Sequence, residues 1–104
     1  MITTVTDETF DEFIAGDMPV MVDFWAVWCG YCTTLHPVLE QVATEYEGRV
    51  KVGQVDVDSN LEQANKYKVK GLPTVLVFVG GKLKDTIVGF NPVEYIRKVL
   101  DKYV

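Results

Sequence analysis

The sequence predicts an α/β fold in which a central mixed β-sheet is flanked by helices on both faces. Short apolar runs alternate with amphipathic helical patterns along most of the chain. The chain then closes with two strands around Gly80-Gly81 and a last helix. The predicted order is βαβαβαββα. Helical connections favour parallel pairing and a hairpin is antiparallel, so the sheet has to be mixed.

The composition indicates one globular domain over residues 1–104. The chain is 48% hydrophobic and 24% charged, which supplies enough apolar material for a core. Ten basic against fifteen acidic residues give a net charge of −5, which disfavours nucleic-acid binding because phosphates attract clustered Lys and Arg. No apolar run approaches the ~18 residues of a membrane span. The start lacks the features of a signal peptide, so we expect a cytoplasmic protein.

The first elements follow from local patterns. Residues 2–5 predict a short strand, and Thr6 or Asp7 can cap a helix that ends near Gly16. This helix is expected to bury Phe10, Phe13 and Ile14. The run from Val20 to Trp25 is almost entirely apolar, which is typical of a strand buried on both faces of a parallel sheet.

A long helical pattern follows the second strand. Its apolar side chains recur at i, i+3, i+4, i+7 and i+11, at Leu35, Val38, Leu39, Val42 and Tyr46. Pro37 lies inside this pattern, so we expect a kink there.

The second half continues the alternation and then closes it. Residues 50–57 predict a strand, and Ser59-Asn60-Leu61-Glu62 predicts a capping box that opens a helix to about Tyr67. Residues 74–79 and 83–88 predict two strands around the glycine turn. Asn91 is the expected N-cap of the last helix, with Pro92 in its first position. Its core face is expected to carry Ile96, Val99, Leu100 and Tyr103.

The only cysteines, Cys29 and Cys32, lie where a buried strand ends and a long helix begins. The first turn of a helix has free N–H groups and the positive end of the helix dipole, which lower a thiol pKa below its ordinary ~8.5. Cys29 is therefore expected to be the exposed nucleophile. Cys32 shares its helix face at a separation that suits an S–S bond. Together they can attack a disulfide and resolve the mixed disulfide.

The alternatives for this pair are a zinc half-site or two incidental thiols, and the spacing and the strand–helix placement disfavour the latter. Tetrahedral zinc needs four ligands, typically Cys and His, and the chain has two cysteines and one histidine. Only two chains sharing a site could supply four. We expect no metal and no bound cofactor, because the electrons of a dithiol reside in its two sulfurs.

The segment FWAVWCGYC at residues 24–32 resembles the active-site segment of the thioredoxin family, whose usual core is WCGPC. The resemblance covers the whole chain. It includes VDFWA at residues 22–26, Pro37, VDVD at 55–58, KGLPT at 70–74, Gly81 and VGF at 88–90. It implies the thioredoxin fold and a monomeric thiol–disulfide oxidoreductase. Such a protein reduces protein disulfides and is re-reduced by a thioredoxin reductase, whose type the sequence leaves open.

The resemblance also implies which residues bind the substrate: Trp28, Gly30, Tyr31, Gly71, Leu72, Pro73 and Gly89. Trp28 would shield the dithiol. Pro73 would be the family's cis-proline, whose neighbours form a backbone edge for an extended peptide. Gly89 would allow the backbone to approach from the other side. An apolar rim would comprise Trp28, Leu72, Val88 and Phe90.

Asp23 interrupts the apolar second strand. Burial without a partner raises the pKa of a carboxyl group. The resemblance implies that Asp23 lies behind Cys32 and exchanges protons with it, as a catalytic residue. The alternative is a carboxylate at a strand end that reaches solvent.

Three residues depart from the family pattern. Tyr31 replaces the usual proline and restores an N–H facing the Cys29 sulfur. This should make the reduction potential less negative than about −270 mV, unless Tyr31 is simply a tolerated exposed aromatic. Gln54 replaces a lysine near the buried acid, which should leave the pKa of Asp23 higher. His36 could couple to the titration of the site, although an exposed helix position is the simpler interpretation.

Two other functions stay open at this point. Tyr31 is also compatible with a more oxidising protein, a disulfide oxidase, isomerase or glutaredoxin-like protein. The apolar rim is compatible with a binding module that works without redox chemistry. Replacing both cysteines by serine would distinguish the latter, because a binding module would keep its function.

Overall fold

The computed structural model describes all 104 residues and confirms the predicted element order. The elements are β1 (Ile2–Thr4), α1 (Phe10–Ile14), β2 (Val20–Trp25), α2 (Gly30–Glu45), β3 (Lys51–Asp56), α3 (Leu61–Lys66), β4 (Thr74–Val79), β5 (Lys82–Val88) and α4 (Val93–Leu100). None of the four helices has both the length and the apolar character needed to cross a membrane.

The five strands form one mixed sheet in the order β1-β3-β2-β4-β5. The pairs β1–β3 and β3–β2 are parallel, whereas β2–β4 and β4–β5 are antiparallel. Strand β2 is therefore the central strand. Its Asp23 is opposite Gln54 on β3 and Val75 on β4, which places this carboxyl group in the middle of the sheet.

Helices cover both faces of the sheet, as expected. Because side chains alternate along a strand, Met21 and Phe24 point to opposite faces. Met21 packs in a cluster with residues of α2 and α4, and Phe24 packs in a second cluster with residues of α1 and α3. Asp23 has the same parity as Met21. It therefore faces the layer that contains α2, the helix that begins next to the cysteines.

The start of α3 differs from the sequence expectation. The helix begins at Leu61, and no side chain of the expected capping box caps it. Instead the carboxylate of Asp7 accepts hydrogen bonds from the Glu62 and Gln63 amides at 3.2 and 3.1 Å. The Asn60 side chain in turn accepts from the Asp7 amide at 3.0 Å. The capping-box prediction is wrong, because the loop after β1 packs against this helix and supplies its cap.

The starts of α1 and α4 are also shifted. Helix α1 begins at Phe10, after a turn in which the Thr6 hydroxyl accepts from the Thr9 amide at 3.3 Å. Helix α4 begins at Val93 rather than at Pro92. The side-chain amide of Asn91 donates to two backbone carbonyl groups at the end of β5, so it stabilises the connection instead of capping the helix.

Candidate active site

The two cysteines meet at the start of α2. Cys29 is the N-cap residue and Cys32 is in the first turn. Their Cα atoms are 5.3 Å apart, and the sulfur atoms form a disulfide. Cys29 is 8% exposed and Cys32 is 4% exposed. Cys29 is thus the more accessible of the two, as expected, although both are largely buried in the oxidised pair.

The Cys29 sulfur accepts a hydrogen bond from the Cys32 amide at 3.2 Å. The sequence predicts that the Tyr31 amide faces this sulfur. The difference follows from helix geometry, because an N-cap side chain can reach the amide of the third helical residue, which here is Cys32. The Tyr31 side chain is 70% exposed. The effect of Tyr31 on the reduction potential stays a prediction.

A loop before β4 lies against the dithiol. The Leu72–Pro73 peptide bond is cis, and Leu72 packs against the small cluster that contains both cysteines. The Thr74 hydroxyl donates to the Gly71 carbonyl, and the Gly89 amide donates to the Pro73 carbonyl at 2.8 Å. These bonds hold residues 71–73 between the cysteines and the end of β5.

The backbone is open on both sides of this loop. A Cβ atom at Gly71 or Gly89 would meet nothing within 4 Å. What requires glycine at position 89 is its φ of 79°, in the left-handed region that L side chains rarely adopt. The backbone conformation thus explains why glycine is needed at position 89, and the approach of a substrate there stays a prediction.

Large apolar side chains are exposed near the start of α2 and the end of β5: Val27, Trp28, Tyr31, Val88 and Phe90. Trp28 is 68% exposed, and its indole N–H donates to the Asp58 carboxylate at 3.0 Å. The sequence indicates Asp58 only as part of the VDVD segment and does not predict this contact. Nothing local to Asp58 indicates an indole partner thirty residues away.

Asp23 is buried behind the dithiol. It is 3% exposed, and its Oδ1 atom has no hydrogen-bond partner within the protein. Burial raises the pKa of this carboxyl group from 3.8 to about 7, because a charged carboxylate loses its hydration there. The alternative expectation, a strand-end carboxylate reaching solvent, is wrong because β2 is the central strand.

A cavity of about 460 Å³ connects this carboxyl group to the dithiol. Its lining residues are Asp23, Trp25, Cys32, Thr33, His36, Pro37 and Gln54. Gln54 is opposite Asp23 in the parallel register, which agrees with the expectation that it lies near the acid. Its amide carries no charge to offset the burial of the carboxylate. Desolvation is accordingly the cause of the raised Asp23 pKa.

Comparison with known proteins decides the family. The Thioredoxin family model matches residues 1–102 of the chain. The chain belongs to the thioredoxin family. Curated thioredoxins from Staphylococcus aureus strains Mu50, MW2 and N315 are each 45% identical over 103 residues, which is 99% of this chain and 98% of the relative.

Membership of the thioredoxin family establishes the reaction of the cysteine pair. The chain is a protein-disulfide oxidoreductase in which the cysteine pair cycles between dithiol and disulfide. Thioredoxins need no bound cofactor, because the two sulfurs carry the two electrons. No three His, Cys, Asp or Glu side chains come together in a group that could hold a metal ion.

Proposed function

We propose that Cys29 is the attacking thiolate and Cys32 the resolving thiol in the reduction of protein disulfides. The Cys29 thiolate attacks one sulfur of the substrate disulfide, and the other substrate sulfur leaves as a thiolate. Cys32, once deprotonated, attacks the Cys29 sulfur of the mixed disulfide. The second substrate sulfur leaves, and the protein retains the disulfide. Two electrons thus pass from the cysteine pair to the substrate.

The position of Cys29 carries this assignment. It is the more exposed cysteine, it caps α2, and its sulfur accepts a backbone N–H. A backbone N–H and the positive end of a helix dipole both stabilise a thiolate. Cys32 is one turn inside the helix and faces the Asp23 cavity, where it can reach only the neighbouring sulfur.

Asp23 is the base that accepts the proton of Cys32. The carboxyl group and the cysteine line the same cavity, and Asp23 Oδ1 has no competing partner in the protein. General-base catalysis is most efficient when the pKa of the base is near the working pH. The raised pKa of Asp23, about 7, satisfies this condition.

The substrate lies along the backbone edge beside the disulfide. The free surfaces over Gly71 and Gly89 leave room for an extended peptide next to Leu72 and Pro73. Trp28 precedes Cys29 and Tyr31 lies between the two cysteines, so both supply exposed aromatic surface beside them. Gly30, also between the cysteines, is exposed as well. Large aromatic side chains of this kind are typical of protein interfaces.

A thioredoxin reductase of unidentified type is the partner that restores the dithiol. The protein acts as a single domain and as a monomer. It uses no bound cofactor or metal. We place it in the cytoplasm, since disulfide reduction requires a compartment in which thiols are kept reduced. Its net charge of −5 supports protein rather than nucleic-acid partners.

Trapping of the mixed disulfide tests these assignments. Cys32→Ser should accumulate a covalent complex with a disulfide-containing protein such as insulin, because nothing resolves it. Cys29→Ser, the matched control, should form none. The double serine variant should neither reduce nor trap the substrate. Trapping by Cys29→Ser alone would overturn the assigned order, and undiminished function of the double variant would indicate a binding module.

A further inference from the structure

One exposed titratable side chain lines the cavity behind the dithiol. Asp23 is buried, with 3% of its surface exposed, whereas the His36 side chain is 51% exposed. Both line the same cavity of about 460 Å³, together with Cys32. His36 lies four residues after Cys32, on the same side of α2. His36 is therefore the one exposed ionisable side chain among the residues that line the cavity.

The buried carboxyl group has to be free of its own proton before it can accept the proton of Cys32. With a pKa of about 7, Asp23 is protonated in roughly half of the molecules near pH 7, and in these its proton has to reach solvent before Cys32 can attack. No main-chain or side-chain group of the protein bonds Asp23 Oδ1 and carries this proton away. The cavity next to this carboxyl group is its route to solvent, and His36 is the exposed ionisable side chain that lines it.

Few ionisable groups face this route. From β2 the cavity receives Asp23 and the neutral Trp25, from β3 the neutral Gln54, and from α2 Cys32 and His36. Glu40 is the only further charged contact, with its Oε1 4.0 Å from the His36 Nε2. Histidine is the side chain that ordinarily changes charge between pH 5 and 8.

We propose that His36 relays protons between bulk solvent and Asp23 through this cavity, and so acts on the reaction through Asp23. The Cys32 proton passes to Asp23, from Asp23 to the His36 imidazole, and from the imidazolium to water. The same steps run in reverse when the disulfide is reduced. The inference rests on the proposed role of Asp23 as the base.

The test is the single-turnover rate of insulin reduction in four proteins: the natural chain, His36→Gln, Asp23→Asn and the double variant. Glutamine keeps the size and polarity of an exposed helix residue but cannot carry a proton. His36→Gln should slow the reaction at least about threefold near pH 7, as general acid–base groups contribute ~10²–10⁴ when they act directly. In a protein that already carries Asp23→Asn, His36→Gln should not slow the reaction further.

A second measurement separates proton transfer from packing. Free imidazole in the buffer should restore the rate of His36→Ala in proportion to its concentration. Gln41→Ala is the matched control, since Gln41 is exposed on the same helix and does not line the cavity. It should keep the natural rate and show no response to imidazole.

The outcomes distinguish this inference from the proposed function. An unchanged rate in His36→Gln, an equal loss with and without Asp23, or no rescue by imidazole would overturn the relay. If Asp23→Asn itself kept the natural rate, the proposed role of Asp23 would fail first. Loss in both single variants, no added loss in the double variant and rescue by imidazole support the relay.

Discussion

Replacing Asp23 by asparagine should change how the stability of the protein depends on pH. The amide has nearly the shape of the carboxyl group but does not ionise. Asp23 is 3% exposed, and its folded-state pKa of about 7 lies above the ordinary 3.8. Between these values the folded chain keeps a proton that the unfolded chain releases. The natural protein therefore loses stability as pH rises through this window.

The two pKa values set the size of the effect. Linkage predicts that Asp23 makes the free energy of unfolding fall by about 2.5 kcal/mol between about pH 5 and about pH 8.5. Above the folded-state pKa the total contribution levels off near ~4 kcal/mol. Asp23→Asn should lack this decrease, so its advantage over the natural chain should grow with pH and then become constant.

Urea unfolding of the oxidised proteins, followed by far-UV circular dichroism at several pH values, measures the difference directly. The disulfide stays closed throughout, so the cysteines do not contribute to the titration. Parallel stability curves for the natural chain and Asp23→Asn would refute the reasoning, since they would mean that Asp23 ionises alike in the folded and unfolded states. Any constant offset between such curves would reflect only the packing of the amide.

Three further changes have definite expected results. Asp7→Ala removes the acceptor of two backbone amides in the first turn of α3. It should lower the free energy of unfolding in urea by about 1 kcal/mol. An unchanged urea midpoint would show that this contact contributes nothing to stability. Tyr31→Pro removes one backbone N–H from the first turn of α2, which the Cys29 side chain caps, and should lower the reduction potential by about 30 mV, measured against glutathione buffers. An unchanged potential would leave the Cys32 amide as the donor that matters. Gly53→Ala places a Cβ 2.6 Å from the Phe13 ring and should destabilise the fold by about 1–3 kcal/mol in urea unfolding. The control Gly71→Ala, where space is open and φ is not positive, should show no such loss.

The two kinds of helix start show where sequence reasoning succeeds and fails. The strand-to-helix boundary at Cys29 was predictable, because a buried apolar run and a helical pattern meet there and the N-cap is local. The cap of α3 was not, since Asp7 is 55 residues before the Glu62 amide that it binds. A capping box is a local pattern, and a carboxylate from a distant loop can take its place without leaving a local sign.

The active site likewise combines features set by local sequence with features set by contacts between distant residues. The sequence alone determined the element order, the cysteine pair at a helix start and the unusual acid within β2, because each depends on residue type and short spacing. The family resemblance implied that Cys32 and Gln54 lie near that acid, but only the tertiary structure decided the cavity that these side chains share with it. Strand pairing sets Gln54 opposite Asp23, and the packing of α2 on the sheet brings Cys32 and His36 to the same cavity. Such contacts depend on the register and packing of elements far apart in the chain, and local residue patterns carry no measure of either.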